Sequence, residues 1–182
     1  MSDDGSLFTL HPDDWGDLSS QLGKETDRGA ALVGAAFLEN LLGALVEDFL
    51  LEDHKTTKKL LKGPLAPLGG FYSRIIASYS LGLISEDEMH DLDIIREVRN
   101  DFAHKAKSMS FSTSIVRTKL ENLRVPHLVP DDVFDTSTLK PRQLFINSVS
   151  MIATFLDRRR RGIADRRQPA KKFLIELVDK PA

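Results

Sequence analysis

Between Thr26 and Asp53, apolar residues recur at spacings of three and four. Val33, Phe37, Leu38, Leu41, Leu45, Val46 and Phe49 define one broad face of a long helix. Asp27 sits at its start, where a carboxylate meets unsatisfied N–H groups, and the small residues of Gly29–Ala36 permit another helix to approach closely. A short basic stretch, Lys55–Lys62, leads into Gly63-Pro64-Leu65-Ala66-Pro67-Leu68-Gly69-Gly70, which cannot continue a helix. Phe71, Ile75, Ile76 and Tyr79 mark a second helix ended by Gly82. Ser85 followed by Glu88 has the spacing of a capping box and opens a third helix running to about Lys107. Thr113–Arg124 reads as a shorter helix, Pro126 and Pro130 as a loop, and Leu139–Arg161 as another long helix through Leu144, Phe145, Val149, Ile152 and Phe155. Phe173–Val178 suits either a short helix or a strand. Val, Ile and Thr do not alternate over any long stretch, so a sheet has little support. The expected fold class is all-α, a single bundle of about five helices over residues 21–161. Residues 1–20, acidic and without a sustained period, are expected to form a flexible arm in which Trp15 anchors onto the body. Residues 162–182 form a basic C-terminal extension.

Length and composition narrow the function classes. The 182 residues suit one domain with a sizeable core. With no cysteine, a disulfide framework, a Cys-ligated zinc or iron–sulfur site and thiol chemistry are excluded. No apolar run reads as a bilayer span of roughly 20 residues. Met1-Ser2-Asp3-Asp4 lacks the start of a signal peptide. A soluble, cytoplasmic protein without membrane contact is the expectation. A net charge of −2 conceals an asymmetry: residues 1–53 carry 12 acidic and two basic residues, and residues 141–182 carry 10 basic and four acidic. The two ends can attract each other within a protomer or between two, or the basic end can meet nucleic acid.

The chemistry worth weighing lies on the third helix. Leu92, Ile95, Val98 and Phe102 cluster on one side of a helical wheel, and Arg99 falls inside that arc. A buried guanidinium demands a carboxylate or several carbonyls, and Glu39 and Asp48 are the candidate ion-pair partners. His104 lies about 140° around from Arg99, so one helix does not aim both at one point, although two copies across a two-fold axis would. The plain readings are a structural cation for Arg99 and a helix-end cation for His104. Arg99-Asn100-Asp101-Phe102-Ala103-His104 resembles the Arg–polar–spacer–His motif of HEPN domains, which are small helical bundles. In catalytic members of that superfamily, the resemblance implies, two protomers build a metal-free ribonuclease site. Arg99 would contact phosphate, His104 act as general acid/base and Asn100 support them. The chemistry is sound, because an imidazole relays a proton from a ribose 2′-hydroxyl while a guanidinium stabilises the developing charge.

A longer resemblance spans about Thr26–Arg124. Gly63-Pro64-Leu65, Leu68-Gly69, Phe71, Arg74-Ile75, Tyr79, the Gly82-Leu83-Ile84 turn, Asp91, and Ile94-Ile95-Arg96 leading to Asn100 resemble the mannitol operon repressor family of helical bacterial regulators. This resemblance implies regulation through another protein, a transcription factor or a sugar phosphotransferase component. No helix-turn-helix with a basic recognition helix appears.

Arg158-Arg159-Arg160-Arg161, with Arg166, Arg167, Lys171 and Lys172, is either a solvated helix end, a phosphate-binding patch for RNA or DNA, or a dock for the acidic arm. No aromatic interleaves the arginines, which weakens a single-strand stacking platform. Gly63–Gly70 is not a phosphate loop, His90 with Asp87 or Asp93 lacks a third metal ligand, and cofactor boxes are absent, so neither metal nor cofactor is expected. The expected function is a non-enzymatic regulator of gene expression acting as a homodimer through protein partners. The alternative is a HEPN-type metal-independent ribonuclease or RNA-binding module built on Arg99, Asn100 and His104.

Overall fold

In the computed structural model, which describes residues 16–50, 54–104, 109–129 and 135–164, seven α-helices and one 3-10 turn follow one another. They are α1 (Gly16–Lys24), α2 (Asp27–Phe49), α3 (His54–Leu61), α4 (Phe71–Ser80), α5 (Glu86–His104), α6 (Ser114–Leu120), the 3-10 turn Val125–Leu128, and α7 (Pro141–Ala164). Among the described residues there is no strand. The all-α architecture is as the periodicity predicts, with two more helices. Residues 16–20 belong to a helix rather than an irregular arm, and the basic stretch after His54 is helical as well. Residues 1–15, Lys107, Pro130 and Phe173–Val178 lie outside the described residues.

α2 is the axis of the bundle, and α1, α3, α4, α5 and α7 all pack on it, α7 most extensively. Thr26 starts it as an N-cap, its hydroxyl accepting the Gly29 N–H at 3.0 Å. The buried side coincides only in part with the one that the large residues mark. Ala30, Ala31, Gly34, Ala35, Leu38, Leu42, Leu45 and Val46 are buried, whereas Val33, Phe37 and Phe49 are 48%, 41% and 45% exposed. A helix apolar around most of its girth offers no single stripe, so close approach decides the face. Gly34 shows how close: a Cβ there would lie 3.3 Å from Val149 Cγ1 of α7. By length and hydropathy α2 does match a bilayer span, contrary to the expectation from the sequence. Half of its apolar window is buried in the bundle, and its Glu39 and Asp48 pair with arginines of α5 and α7, which is the arrangement of a core helix.

Three arginines close helix ends. Arg28 donates to the Phe102 carbonyl in the last turn of α5, its Nε at 2.8 Å. Arg74 donates to Leu61 O at the end of α3 (3.2 Å), to Leu68 O in the following loop (2.9 Å) and to Glu39 O on α2 (2.9 Å). Arg142 reaches Leu22 O in the last turn of α1 and Glu25 O just beyond it, and pairs with Asp27 at 2.5 Å. Helix ends leave carbonyls without intrahelical partners, and the guanidinium fork serves several at once. Arg142→Ala is expected to lower stability by about 2 kcal/mol through lost charged hydrogen bonds, read as a lower urea midpoint at unchanged slope.

The two predicted boundary signals around α4 and α5 form as expected. Gly82 takes φ +68, which releases Leu83 N–H to Ser78 O (2.8 Å) and Gly82 N–H to Tyr79 O (2.9 Å), the paired bonds of a Schellman end. Ser85 N–H donates to Glu88 Oε2 at 2.7 Å while Glu88 N–H donates to Ser85 Oγ at 3.2 Å, a complete capping box. At the other end of the bundle, Phe102, Phe111 and Phe145 stack in series with centroids 5.0 and 4.9 Å apart, tying α5, the segment before α6, and α7 together.

Candidate functional site

The apolar arc of α5 is buried as its spacing predicts: Leu92, Ile95, Val98 and Phe102 are fully enclosed. Arg99 lies at the edge of that arc. Its side chain is 36% exposed, its Nη2 stands 3.6 Å from Glu39 Oε2, and its Nη1 donates to Asn100 Oδ1 at 3.0 Å. Asp48, the other carboxylate considered for Arg99, pairs instead with Arg160 Nε at 2.5 Å. His104 is exposed in the last turn of α5, where the helix dipole favours a cation. Within one protomer Arg99 therefore faces α2 while His104 stands at the helix end. A half-exposed pair at this distance is worth little, and Arg99→Ala is expected to cost no more than about 1 kcal/mol in urea unfolding.

The arginine run at the end of α7 is largely an intramolecular clasp. Arg159 pairs at 3.0 Å with Glu88, the nearly buried carboxylate of the capping box, and Arg160 with Asp48 near the end of α2. Arg161 pairs with Asp157 one turn back on its own exposed helix face. These bonds fasten the end of α7 to the start of α5 and the end of α2. Sequence reasoning missed this because the carboxylates lie 71 and 112 residues away. Arg166, Arg167, Lys171 and Lys172 lie outside the described residues.

Most residues of the longer family-like pattern serve the fold. Phe71, Ile75, Leu83, Ile84 and Ile95 are buried, Arg74 clamps the Gly-Pro loop, and Gly82 turns the chain. Asp91, fully buried, accepts the N–H groups of Arg124 and Val125, each at 2.8 Å, and lies 3.0 Å from His90 Nδ1. Burial raises its pKa above the ordinary 3.8, and the bonds from His90, Arg124 and Val125 offset that only in part. Gly43 belongs to the same construction, since a Cβ there would sit 3.0 Å from Arg74 Nη1.

What this end of the bundle leaves on the surface is an apolar strip. Tyr72, Ile76 and Tyr79, at helical spacing on α4, are 57%, 41% and 42% exposed, followed by Leu81 at 40%. Arg96 stacks its guanidinium 5.2 Å from the Tyr72 ring centre while bonding Asp93. Beside the strip, a groove of about 430 Å³ runs between α4 and α5 over Ile75, Met89 and Ile94, with Glu86, Glu97 and Arg124 along its rim. Lys119 of α6 is held by Glu97 of that rim (2.8 Å) and by Asp101 (3.0 Å). Burial pulls the Lys119 pKa down, and these two carboxylates more than reverse that, leaving it raised. Among the described residues no group of three or more His, Asp or Glu is placed to hold a metal ion.

No protein-family model matches the chain, and no curated protein matches it by sequence. The fold, in contrast, superposes on one chain of the X-ray structure of the MtlR-HPr complex from Escherichia coli. The TM-score is 0.63 at 18% identity, covering 79% of this chain and 98% of that one. The fold is MtlR-like. At that identity the likeness speaks for the backbone arrangement, and the side chains just described are this chain's own way of holding it.

Proposed function

We propose that this protein is a non-enzymatic, cytoplasmic regulator of gene expression that works by binding another protein, a phosphotransferase component of the HPr kind. The observation that carries this reading is the bundle shared over most of both chains with MtlR, which was solved in complex with HPr. The exposed strip Tyr72, Ile76, Tyr79 and Leu81 is the surface we assign to that partner. Aromatic and aliphatic side chains standing together above a mixed-charge rim form the apolar centre and polar edge of a protein interface. Homodimer formation belongs to the same proposal.

The ribonuclease reading keeps one favourable observation: Asn100 holds Arg99 while His104 stands in solvent on the same helix, open to a second copy. Incubation of the purified protein and of His104→Ala with mixed-sequence RNA in EDTA separates the two. The regulator leaves RNA intact in both samples. Fragments with cyclic phosphate ends from the wild type alone would overturn the non-enzymatic reading and make the dimeric Arg99/His104 site the function.

A further inference from the structure

A second groove, of about 370 Å³, shares no lining residue with the one between α4 and α5 and lies where α1, α2 and α7 meet. Leu18, Phe37, Leu41 and Ala153 make its apolar walls, and Arg158 and Arg161 stand at one end. Phe37 is 41% exposed, an unusual cost for a phenylalanine on the central helix of a bundle. Ser150 also lines the groove. Its residue is 1% exposed, and its Oγ is buried without a hydrogen-bond partner in the structure. An orphan buried hydroxyl beside an apolar recess asks for an occupant that is mostly apolar and brings one donor.

We propose that this groove seats Trp15 of the same chain, with the indole N–H donating to Ser150 Oγ and Asp13 and Asp14 meeting Arg158 and Arg161. Connectivity is the first argument. Trp15 directly precedes Gly16, the first residue of α1, and Asp17 and Leu18 already line the groove, so the proposed occupant is tethered to the groove wall by only two or three Cα steps of about 3.8 Å. Side-chain chemistry is the second: an indole is a large apolar plate with a single donor, which matches walls of Phe, Leu and Ala around one acceptor. Charge is the third. Residues 1–15 contain four aspartates and neither lysine nor arginine, and α7 carries four arginines in a row at this end. The Arg161 pair with Asp157 spans one turn at 80% and 34% exposure, a weak bond that a second carboxylate can share. Seated this way, the segment before α1 covers the exposed side of α2 and leaves the α4 strip open.

Trp15 is the only tryptophan, so the intact chain reports on the site by its own fluorescence. The expected emission is blue-shifted from that of the urea-unfolded chain, unchanged on dilution, and shielded from acrylamide. Phe37→Glu, at an exposed position, is expected to abolish the shift at unaltered far-ultraviolet circular dichroism, and Ser150→Ala to reduce it. Arg161→Glu is expected to increase quenching. Emission already at the unfolded position in the wild type would overturn the proposal, as would a shift that survives Phe37→Glu. A shift lost on dilution would overturn it too, because the indole would then occupy a second copy.

Discussion

Replacing Asp91 by alanine is expected to lower stability by about 3 kcal/mol, because the change takes the acceptor from two backbone donors at once, one of them buried. The carboxylate is fully enclosed and receives the N–H groups of Arg124 and Val125, the point at which the chain leaves α6 and enters the 3-10 turn. Without it the Val125 N–H in particular, a buried donor, loses its acceptor. A shifted urea midpoint at unchanged slope is the readout. Asp91→Asn keeps one carbonyl acceptor and is expected to lose less. The pH dependence has a defined sign. Burial raises the Asp91 pKa in the folded state above 3.8, so the native chain holds that proton more tightly than the unfolded one. The contribution of Asp91 is then fully present below pH 3.8 and declines as pH rises through the raised value. The stability of wild type minus that of Asp91→Asn is expected to fall across that window, and a rise there would contradict the account of Asp91.

Phe111→Ala is expected to cost about 4 kcal/mol, in the upper range for core truncations. Phe111 is 1% exposed and stacks on Phe102 and Phe145 together, so its removal opens a cavity between α5 and α7 that the two neighbouring rings cannot both fill. Its own N–H donates to Asp27 Oδ2, while the other carboxylate oxygen, Oδ1, holds Arg142, and this anchors the segment at the start of α2. Phe111→Leu retains most of the volume and is expected to recover more than half of the loss. Equal losses in the two variants would mean that the site depends on the ring stacking and not on the volume filled.

Elements with strong local chemistry are legible in the order of residues alone. Ser85 and Glu88 form their reciprocal cap, Gly82 turns the chain at positive φ, and the spacing of Leu92, Ile95, Val98 and Phe102 names the buried side of α5. Three other features are not, for physical reasons. On α2 the predicted face is only partly right: Leu38, Leu45 and Val46 are buried but Val33, Phe37 and Phe49 are exposed, because apolar residues surround the helix and the close approach of α7 at Gly34 draws the small residues inward. Phe111 lies in a stretch rich in serine and threonine without a period, so nothing local marks it as core. The basic run of α7 looks like an open patch until folding brings Glu88 and Asp48 to Arg159 and Arg160. Long-range ion pairs and close backbone approaches are properties of the assembled bundle, and no window of sequence contains them.

The candidate site divides in the same way. The Arg99-Asn100 and His104 spacing is visible in the sequence, but that Arg99 leans on Glu39 while His104 stands free of the core follows from where α2 crosses α5. The α4 strip is visible as helical periodicity, yet only the bundle decides that Ile75 goes inside and Tyr72, Ile76 and Tyr79 stay outside.

The measurement that bears most directly on the proposed function is a calorimetric titration of the purified protein with HPr from its own source organism, alongside Ile76→Glu. Saturable binding by the wild type is predicted, weakened at least roughly tenfold in the variant, a loss of about 1.4 kcal/mol or more in binding free energy. Unchanged circular dichroism would show that this exposed position leaves the fold intact. No heat of binding from a folded wild-type protein would contradict the account.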